Sequence, residues 1–148
     1  MGNNLNCDFC DENIITLQEI IKSSKIRILY PRRPIIEEHL LFVPIRHIER
    51  FADLESEEVI DLLVIVNKIN GFLNNEYKTT GFNLFINDGK AAGQHIPHVH
   101  FHFFGRSESE KNSPYKILNN PVAYNITKLS DSLINERVDK IRRKMLLS

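Results

Sequence analysis

Four of the six histidines in this 148-residue chain fall within eight positions, His95-Ile96-Pro97-His98-Val99-His100-Phe101-His102. Side chains alternate across a β-strand, so a strand here places His98, His100 and His102 on one face and Val99, Phe101 and Phe103 on the other. The apolar face anchors the segment and the imidazole face is presented. An imidazole with a pKa near 6.5 is largely neutral at pH 7, so one ring nitrogen can attack an electrophile, carry a proton or ligate a metal. A regular strand starts His98 and His102 roughly 13 Å apart, whereas zinc–nitrogen bonds are about 2.0 Å, so the three rings cannot share one ion. One or two of them can bind metal, and the remainder need another use.

The only cysteines, Cys7 and Cys10, are too few and too close for a secreted disulfide framework but suit a metal or redox motif. A thioredoxin-like role would want a strand before the pair, and only six residues precede Cys7.

These groups need elements to hold them. A helix is expected from about Asp53 or Ser56, either a plausible N-cap, through Val59, Leu62, Leu63, Val66, Ile69 and Leu73, which stripe one helical face. A second is expected from Ser130 to Leu147, with Leu133, Ile134, Val138, Ile141 and Met145 inward. Short β-like runs cover Glu19–Ile21, Ile26–Tyr30, Leu40–Val43, Phe82–Ile86 and His98–Phe104, and Ser23-Ser24 turns a hairpin between the first two. Strands clustered before and after one central helix favour an antiparallel sheet with helices on one face, an α+β fold. Ser107–Asn125 reads as an irregular connection with at most a short strand near Tyr115–Leu118.

Lysine plus arginine equals aspartate plus glutamate at 19 each. No global field draws such a chain onto nucleic acid or an acidic membrane, so an anionic ligand needs a local site. With 42% hydrophobic and 26% charged residues, the chain reads as one globular domain over residues 1–148. No apolar run reaches the roughly 18 residues of a membrane span, and no secretory signal is apparent, so the cytoplasm is the expected compartment.

The stretch Gly93-Gln94-His95-Ile96-Pro97-His98-Val99-His100-Phe101-His102-Phe103-Phe104 resembles the His-x-His-x-His signature of the histidine triad (HIT) family of nucleotide hydrolases and transferases. Pro34 through His39 to Val43-Pro44-Ile45-Arg46-His47-Ile48 resembles the family's upstream stretch, and Asn87-Asp88-Gly89 its pre-triad loop. The likeness runs from about Cys7 to Arg106, leaving residues 107–148 as a C-terminal extension. It implies an antiparallel sheet with a central and a C-terminal helix, a nucleotide substrate cleaved at the α-phosphate, and a homodimer formed through the central helix and adjoining sheet edge.

Position by position, the resemblance makes His100 the nucleophile, which forms a covalent nucleotidyl-histidine that water resolves. Its other N–H is fixed by a backbone carbonyl near the first triad histidine. His102 lies beside the phosphate oxygens and the leaving atom, and His39 supports the triad. Asn87, Gly93, Gln94, His95 and His102 fall at nucleotide- or phosphate-contacting positions, where side-chain amides and close backbone N–H groups suit phosphate. His95 stands where the family usually has Ser or Thr, so a hydroxyl contact becomes an imidazole contact. Pro31 stands where Asp or Asn commonly holds the ribose, and Glu38 where Gly often precedes the upstream histidine. Ile28 and Tyr30 lie near where relatives wall the base, and core packing explains both equally well.

Zinc-containing bacterial-type members carry a structural zinc on a Cys pair, a His after the second strand's Pro, and the first triad His. Those positions read Cys7, Cys10, His47 and His98, two thiolates and two imidazoles in a closed set expected of structural zinc. Beside a nucleotidyl or phosphoramidate hydrolase, two other readings stay open: a non-catalytic nucleotide-binding or scaffolding protein, and a purely metal-binding β protein.

Overall fold

The computed structural model describes residues 7–111, 116 and 127–148. The connection expected to carry a short strand near Tyr115–Leu118 lies, apart from Lys116, outside these residues.

Among the described residues, five strands form one antiparallel sheet: β1 (Glu19–Lys22), β2 (Ile26–Leu29), β3 (His39–Pro44), β4 (Gly81–Ile86) and β5 (Phe101–Arg106), in the order β1-β2-β3-β5-β4. Among the elements whose bounds are described, three α-helices accompany it, α1 (Glu12–Gln18), α2 (Ser56–Tyr77) and α3 (Asp131–Leu147). The α+β expectation holds. Ser23 and its neighbours turn β1 into β2, and the Asp61 carboxylate on α2 clamps that turn by accepting from Ser23 Oγ and the Lys25 N–H, each at 2.7 Å.

Alternation along the strands sorts the sheet into two faces. On one, Ile26, Ile28, Leu40, Phe42, Val99, Phe101 and Phe103 pack with Leu62, Val66 and Ile69 of α2 and Ile134, Val138 and Ile141 of α3 into the main core. On the other, Leu29, Leu41 and Val43 meet Cys7, Phe9 and Ile15 of the N-terminal segment in a smaller cluster. The second face also carries His39, His100 and His102. Tyr30 and Ile28 belong to the main core, and the Tyr30 hydroxyl donates to the Glu37 carbonyl at 3.2 Å.

Several boundaries differ from the sequence reading, each for a physical reason. The N-cap of α2 is Glu55, neither Asp53 nor Ser56. Glu58 accepts the Glu55 N–H at 2.9 Å while its buried carboxylate is gripped by the half-exposed Arg46 at 2.8 and 3.1 Å, so this ion pair outweighs intrinsic cap preference. The helix runs on to Tyr77, where Lys78 takes a left-handed conformation (φ 57°). Val59 and Leu63, expected inward, are exposed, and Ile65 and Phe72 are buried in their stead. Ser130 caps α3, its hydroxyl accepting the Leu133 N–H. α1 went unforeseen because seven residues hold barely two turns of periodicity.

The histidine strand starts later than expected, at Phe101 and not His98. β5 pairs Phe101 with Phe42 and His102 with Leu41. Continuing that register would set Val99 against Pro44, which has no N–H to offer the ladder. The Val99 N–H instead donates to the Ile48 carbonyl at 2.8 Å.

Candidate active site and metal cluster

The extended run His98–His100 and strand β5 keep the predicted alternation, with Val99, Phe101 and Phe103 in the core and the three imidazoles on the opposite side. The His100 and His102 ring centroids are 5.2 Å apart, and His39 from β3 sits 5.3 Å from His102.

Backbone partners fix which nitrogen of each ring carries the proton. His100 Nδ1 lies 2.8 Å from the His98 carbonyl, which can only accept, so Nδ1 holds the hydrogen and Nε2 keeps a free lone pair. His39 Nδ1 accepts the Ile35 N–H at 3.1 Å, so its hydrogen is on Nε2 and is given to His102 Nδ1 at 3.0 Å. His102 therefore bears its own hydrogen on Nε2. A lone pair on one ring and an N–H on its neighbour is the pairing that nucleophilic attack with charge stabilisation requires.

Burial holds these rings neutral. It lowers His39 well below the ordinary histidine value, helped by the nearby His102 and His100, and takes His102 down to about 4. His100 is lowered by burial against the opposing pull of its bond to the His98 carbonyl. An unfolded chain titrates near 6.5 and binds protons there that the folded pair refuses, so stability is full above that pH and falls as pH drops towards 4. For His102 the loss across this window is on the order of 3 kcal/mol. Urea midpoints are expected to fall steadily between pH 7 and 4.5; a flat profile would mean that His39 and His102 are not buried neutral.

Next to the triad, the loop after β4 turns through Gly89 and Gly93, at φ 91° and 88°. The Gln94 amide shapes this loop: Oε1 accepts the Gly89 N–H at 2.7 Å, and Nε2 donates to the Glu49 and Ile96 carbonyls at 3.0 and 3.1 Å. Gln94 thus already has partners for both ends of its side chain. Asp88 anchors the loop to Arg50 and to the Phe51 N–H. A cleft of about 470 Å³ opens there, lined by Glu49, Arg50, Gly89, Lys90, Gln94, His95 and Pro97. Asn87 is half-buried beside Gly93, and Pro31 is buried.

The four expected metal ligands converge. Cys7, Cys10, His47 and His98 bring their ligand atoms within 4.8 Å of one another. Individual contacts are 3.4 Å for Cys7 Sγ to His98 Nδ1, 3.4 Å for Cys10 Sγ to His47 Nδ1 and 3.6 Å for Cys10 Sγ to His98 Nδ1. Tetrahedral zinc with bonds of about 2.0–2.3 Å asks for edges of this size. His98 Nε2 donates to the Pro44 carbonyl at 2.9 Å, which leaves Nδ1 as the ligating atom with its outer nitrogen held. Both cysteines are free thiols, and burial beside Cys10 pushes the Cys7 thiol up to about 11, a state a divalent cation reverses. The cluster can therefore hold a metal, and the donor set suits zinc.

Two aromatic residues at the site escaped the sequence reading. Phe85 stacks on His102 at 5.0 Å, and the β4–β5 register that sets them opposite becomes visible only once the strands pair. Phe9 packs edge-on against His98 and His100 at 5.9 and 5.2 Å. Its signal was an apolar residue between the two cysteines.

Comparison with known proteins supplies the remaining findings. The family described as HIT domain matches residues 13–109. The bifunctional bis(5'-adenosyl)-triphosphatase/adenylylsulfatase FHIT of Arabidopsis thaliana is 38% identical over 82 residues, 54% of this chain and 46% of that protein. The asymmetrical bis(5'-nucleosyl)-tetraphosphatase of Schizosaccharomyces pombe is 35% identical over 78 residues, 53% of this chain and 43% of that protein. The chain thus matches less than half the length of these curated relatives. A zinc-bound histidine triad family protein from Mycobacterium smegmatis superposes with a TM-score of 0.71 at 23% identity, covering 97% of this chain and 95% of that one. Plasmodium falciparum diadenosine triphosphate hydrolase gives 0.71 at 23% identity, covering 89% and 78%. At such identity these two superpositions speak for the fold.

Proposed function

The chain belongs to the HIT domain family, and we propose that within it the protein hydrolyses dinucleoside polyphosphates, and nucleoside phosphoramidates by the same route, through a nucleotidyl-histidine on His100. The observation that carries this reading is the 2.8 Å bond from His100 Nδ1–H to the His98 carbonyl, which leaves Nε2 unprotonated beside a protonated His102 Nε2. The activities for which the Arabidopsis and fission-yeast relatives are named support the substrate class.

In the proposed step, Nε2 of His100 bonds to the α-phosphorus as the bond to the bridging atom breaks. The leaving group departs with that electron pair, as a phosphate oxyanion or, from a phosphoramidate, as an amine that takes a proton from water, and the His102 N–H stabilises the developing charge, an effect worth roughly 10²–10³ in rate for one well-placed donor. Water then attacks the same phosphorus, gives up a proton to solvent, releases a nucleoside monophosphate and returns the lone pair to His100. His39 keeps His102 in the donating tautomer, and Gln94 keeps the loop of Asn87, Gly93 and His95 shaped for the phosphate. His95 faces the cleft, where its imidazole meets the leaving group.

Cys7, Cys10, His47 and His98 would hold a structural zinc, as in the zinc-containing bacterial-type branch, and zinc when bound supplies a cross-link between the N-terminal turn and His98. Ligation requires reduced thiols, which agrees with work in the cytoplasm. Among the described residues no helix is long and apolar enough to cross a membrane.

A second copy of the chain is the proposed partner. Ile60, Leu63 and Val64 of α2 are 60–63% exposed, and β4 ends the sheet with Phe82 and Leu84 at 39% and 38% exposure. Such an apolar face and open strand edge suit a self-complementary contact. Leu63→Asp is expected to turn a dimer into a monomer by sedimentation; an unchanged mass would remove α2 from the interface.

The function itself is tested by incubating the protein with diadenosine tri- and tetraphosphate and adenosine phosphoramidate and identifying the products. Release of AMP supports the reading. Tight nucleotide binding with no product would favour the non-catalytic reading.

A further inference from the structure

The metal cluster and the nucleophile share one side chain. Phe9 lies within the single helical turn Asp8–Cys10, and Cys10 at its end and Cys7 just before it are both members of the cluster. Its side chain is 4% exposed and is seated on Leu29, Leu41 and Val43 of the sheet. From there its ring meets the His98 ring at 5.9 Å and 77°, and the His100 ring at 5.2 Å and 63°, both edge-on. The His100 ring also makes its hydrogen bond to the His98 carbonyl and an edge-on contact with the His102 ring.

One hydrogen bond at Nδ1 fixes a tautomer but does not by itself stop the imidazole rocking about that bond. A second, apolar contact on the ring removes this freedom and keeps water from one side, and attack on phosphorus depends on placing Nε2 to within fractions of an ångström. The Cys7–Cys10 turn is held to the sheet by the burial of Cys7 and Phe9 in the smaller cluster. The turn makes one internal hydrogen bond, Cys10 N–H to Cys7 carbonyl at 2.9 Å, and ligation at both cysteines would add a fixed point on each side of Phe9 to that packing.

We infer that Phe9 is a positioning residue through which occupancy of the Cys7/Cys10/His47/His98 cluster sets the orientation of the His100 ring. The cluster then does more than fasten the N-terminus: metal bound there pre-organises the nucleophile, and metal lost there slackens it. This rests on His100 being the reacting group in the proposed function. A competing route from the same cluster runs through His98, whose carbonyl holds His100 directly, and the test has to separate the two.

The experiment compares the wild-type chain with Phe9→Leu, which keeps an apolar filler but has no aromatic edge. Each is measured zinc-loaded and after chelation. The readouts are zinc per chain, the ring ¹⁵N signals of His100, and kcat and KM for diadenosine triphosphate. In wild type, chelation is expected to displace the His100 signals and lower kcat about tenfold, the low end for loss of an outer support, with KM within about twofold. Loaded Phe9→Leu is expected to keep one zinc per chain, to show displaced His100 signals and lowered kcat already, and to lose less than about twofold more on chelation. The inference is overturned if chelation costs Phe9→Leu as much as it costs wild type, since coupling then runs through His98. It is also overturned if loaded Phe9→Leu matches wild type, or if the variant loses its zinc, which would place the action of Phe9 on the cluster alone. Phe9→Met replaces Phe9→Leu if the latter fails to fold. A wild-type protein that hydrolyses nothing sinks the proposed function, while the ring signals still decide the role of Phe9.

Discussion

His100→Ala is expected to lower turnover of a dinucleoside polyphosphate by at least about 10⁴-fold while leaving nucleotide binding within a fewfold of wild type. The loss follows from the division of labour in the site. His102 Nε2 carries a hydrogen because Nδ1 accepts from His39, so it has no lone pair for phosphorus. His98 directs Nδ1 at the cysteines and gives Nε2–H to the Pro44 carbonyl, so neither of its nitrogens is available. Among the described residues of the triad, only His100 Nε2 is left to attack. His100→Gln should fail equally, because an amide nitrogen has no lone pair to offer. Both variants should keep one zinc per chain, since His100 is not a ligand. Steady-state kinetics with metal analysis check this; retention of more than about a tenth of wild-type turnover would remove His100 as nucleophile.

Cys7→Ala carries the second large effect. Three ligands remain where a closed tetrahedral set stood, and the zinc content is expected to fall from one per chain to under about a tenth under mild dialysis. At free zinc about a thousandfold above its dissociation constant, the lost stabilisation is about 4 kcal/mol. It should fall on the smaller cluster that Cys7 shares with Phe9, Ile15 and Leu41. Hydrogen exchange should therefore accelerate in residues 7–18 first and spare the main core. Atomic absorption and a denaturant melt check both parts, and a variant that still holds a full equivalent of zinc would refute the ligand set.

Much of this site was legible before the chain was folded. Strict alternation through His98–Phe103 announced which side chains enter the core, and the sheet obeys it although His98 to His100 lie outside the ladder. The cysteine pair alone is a weak signal, and the full metal set was legible only through the family resemblance; folding brings Cys7 within 3.4 Å of a ring 91 positions away. Other features depend on contacts that no local pattern encodes. The tautomers of His39 and His102 follow from the N–H of Ile35, which has no signature in sequence. Gln94 reads as a phosphate ligand by its position, yet the Glu49 carbonyl lies within reach of its amide and the loop uses it internally. Periodicity placed Val59 and Leu63 inward on α2, whereas the sheet meets the neighbouring stripe and leaves these residues on an apolar outer face. The start of α2 was misread because Arg46, ten residues upstream of the helix, holds Glu58 and favours a capping box over a serine cap.

The central claim is that His100 becomes covalently bonded to the α-phosphorus. It is tested most directly by mixing the protein with diadenosine triphosphate, quenching within milliseconds into alkaline denaturant, where phosphoramidate bonds persist, and mapping the adduct by peptide mass spectrometry. The expected result is one adenylyl group on the peptide spanning His95–Arg106, fragmenting to His100 and absent from His100→Ala. An adduct on His102 or His39, or AMP formed at full rate with no adduct at any quench time, would contradict it.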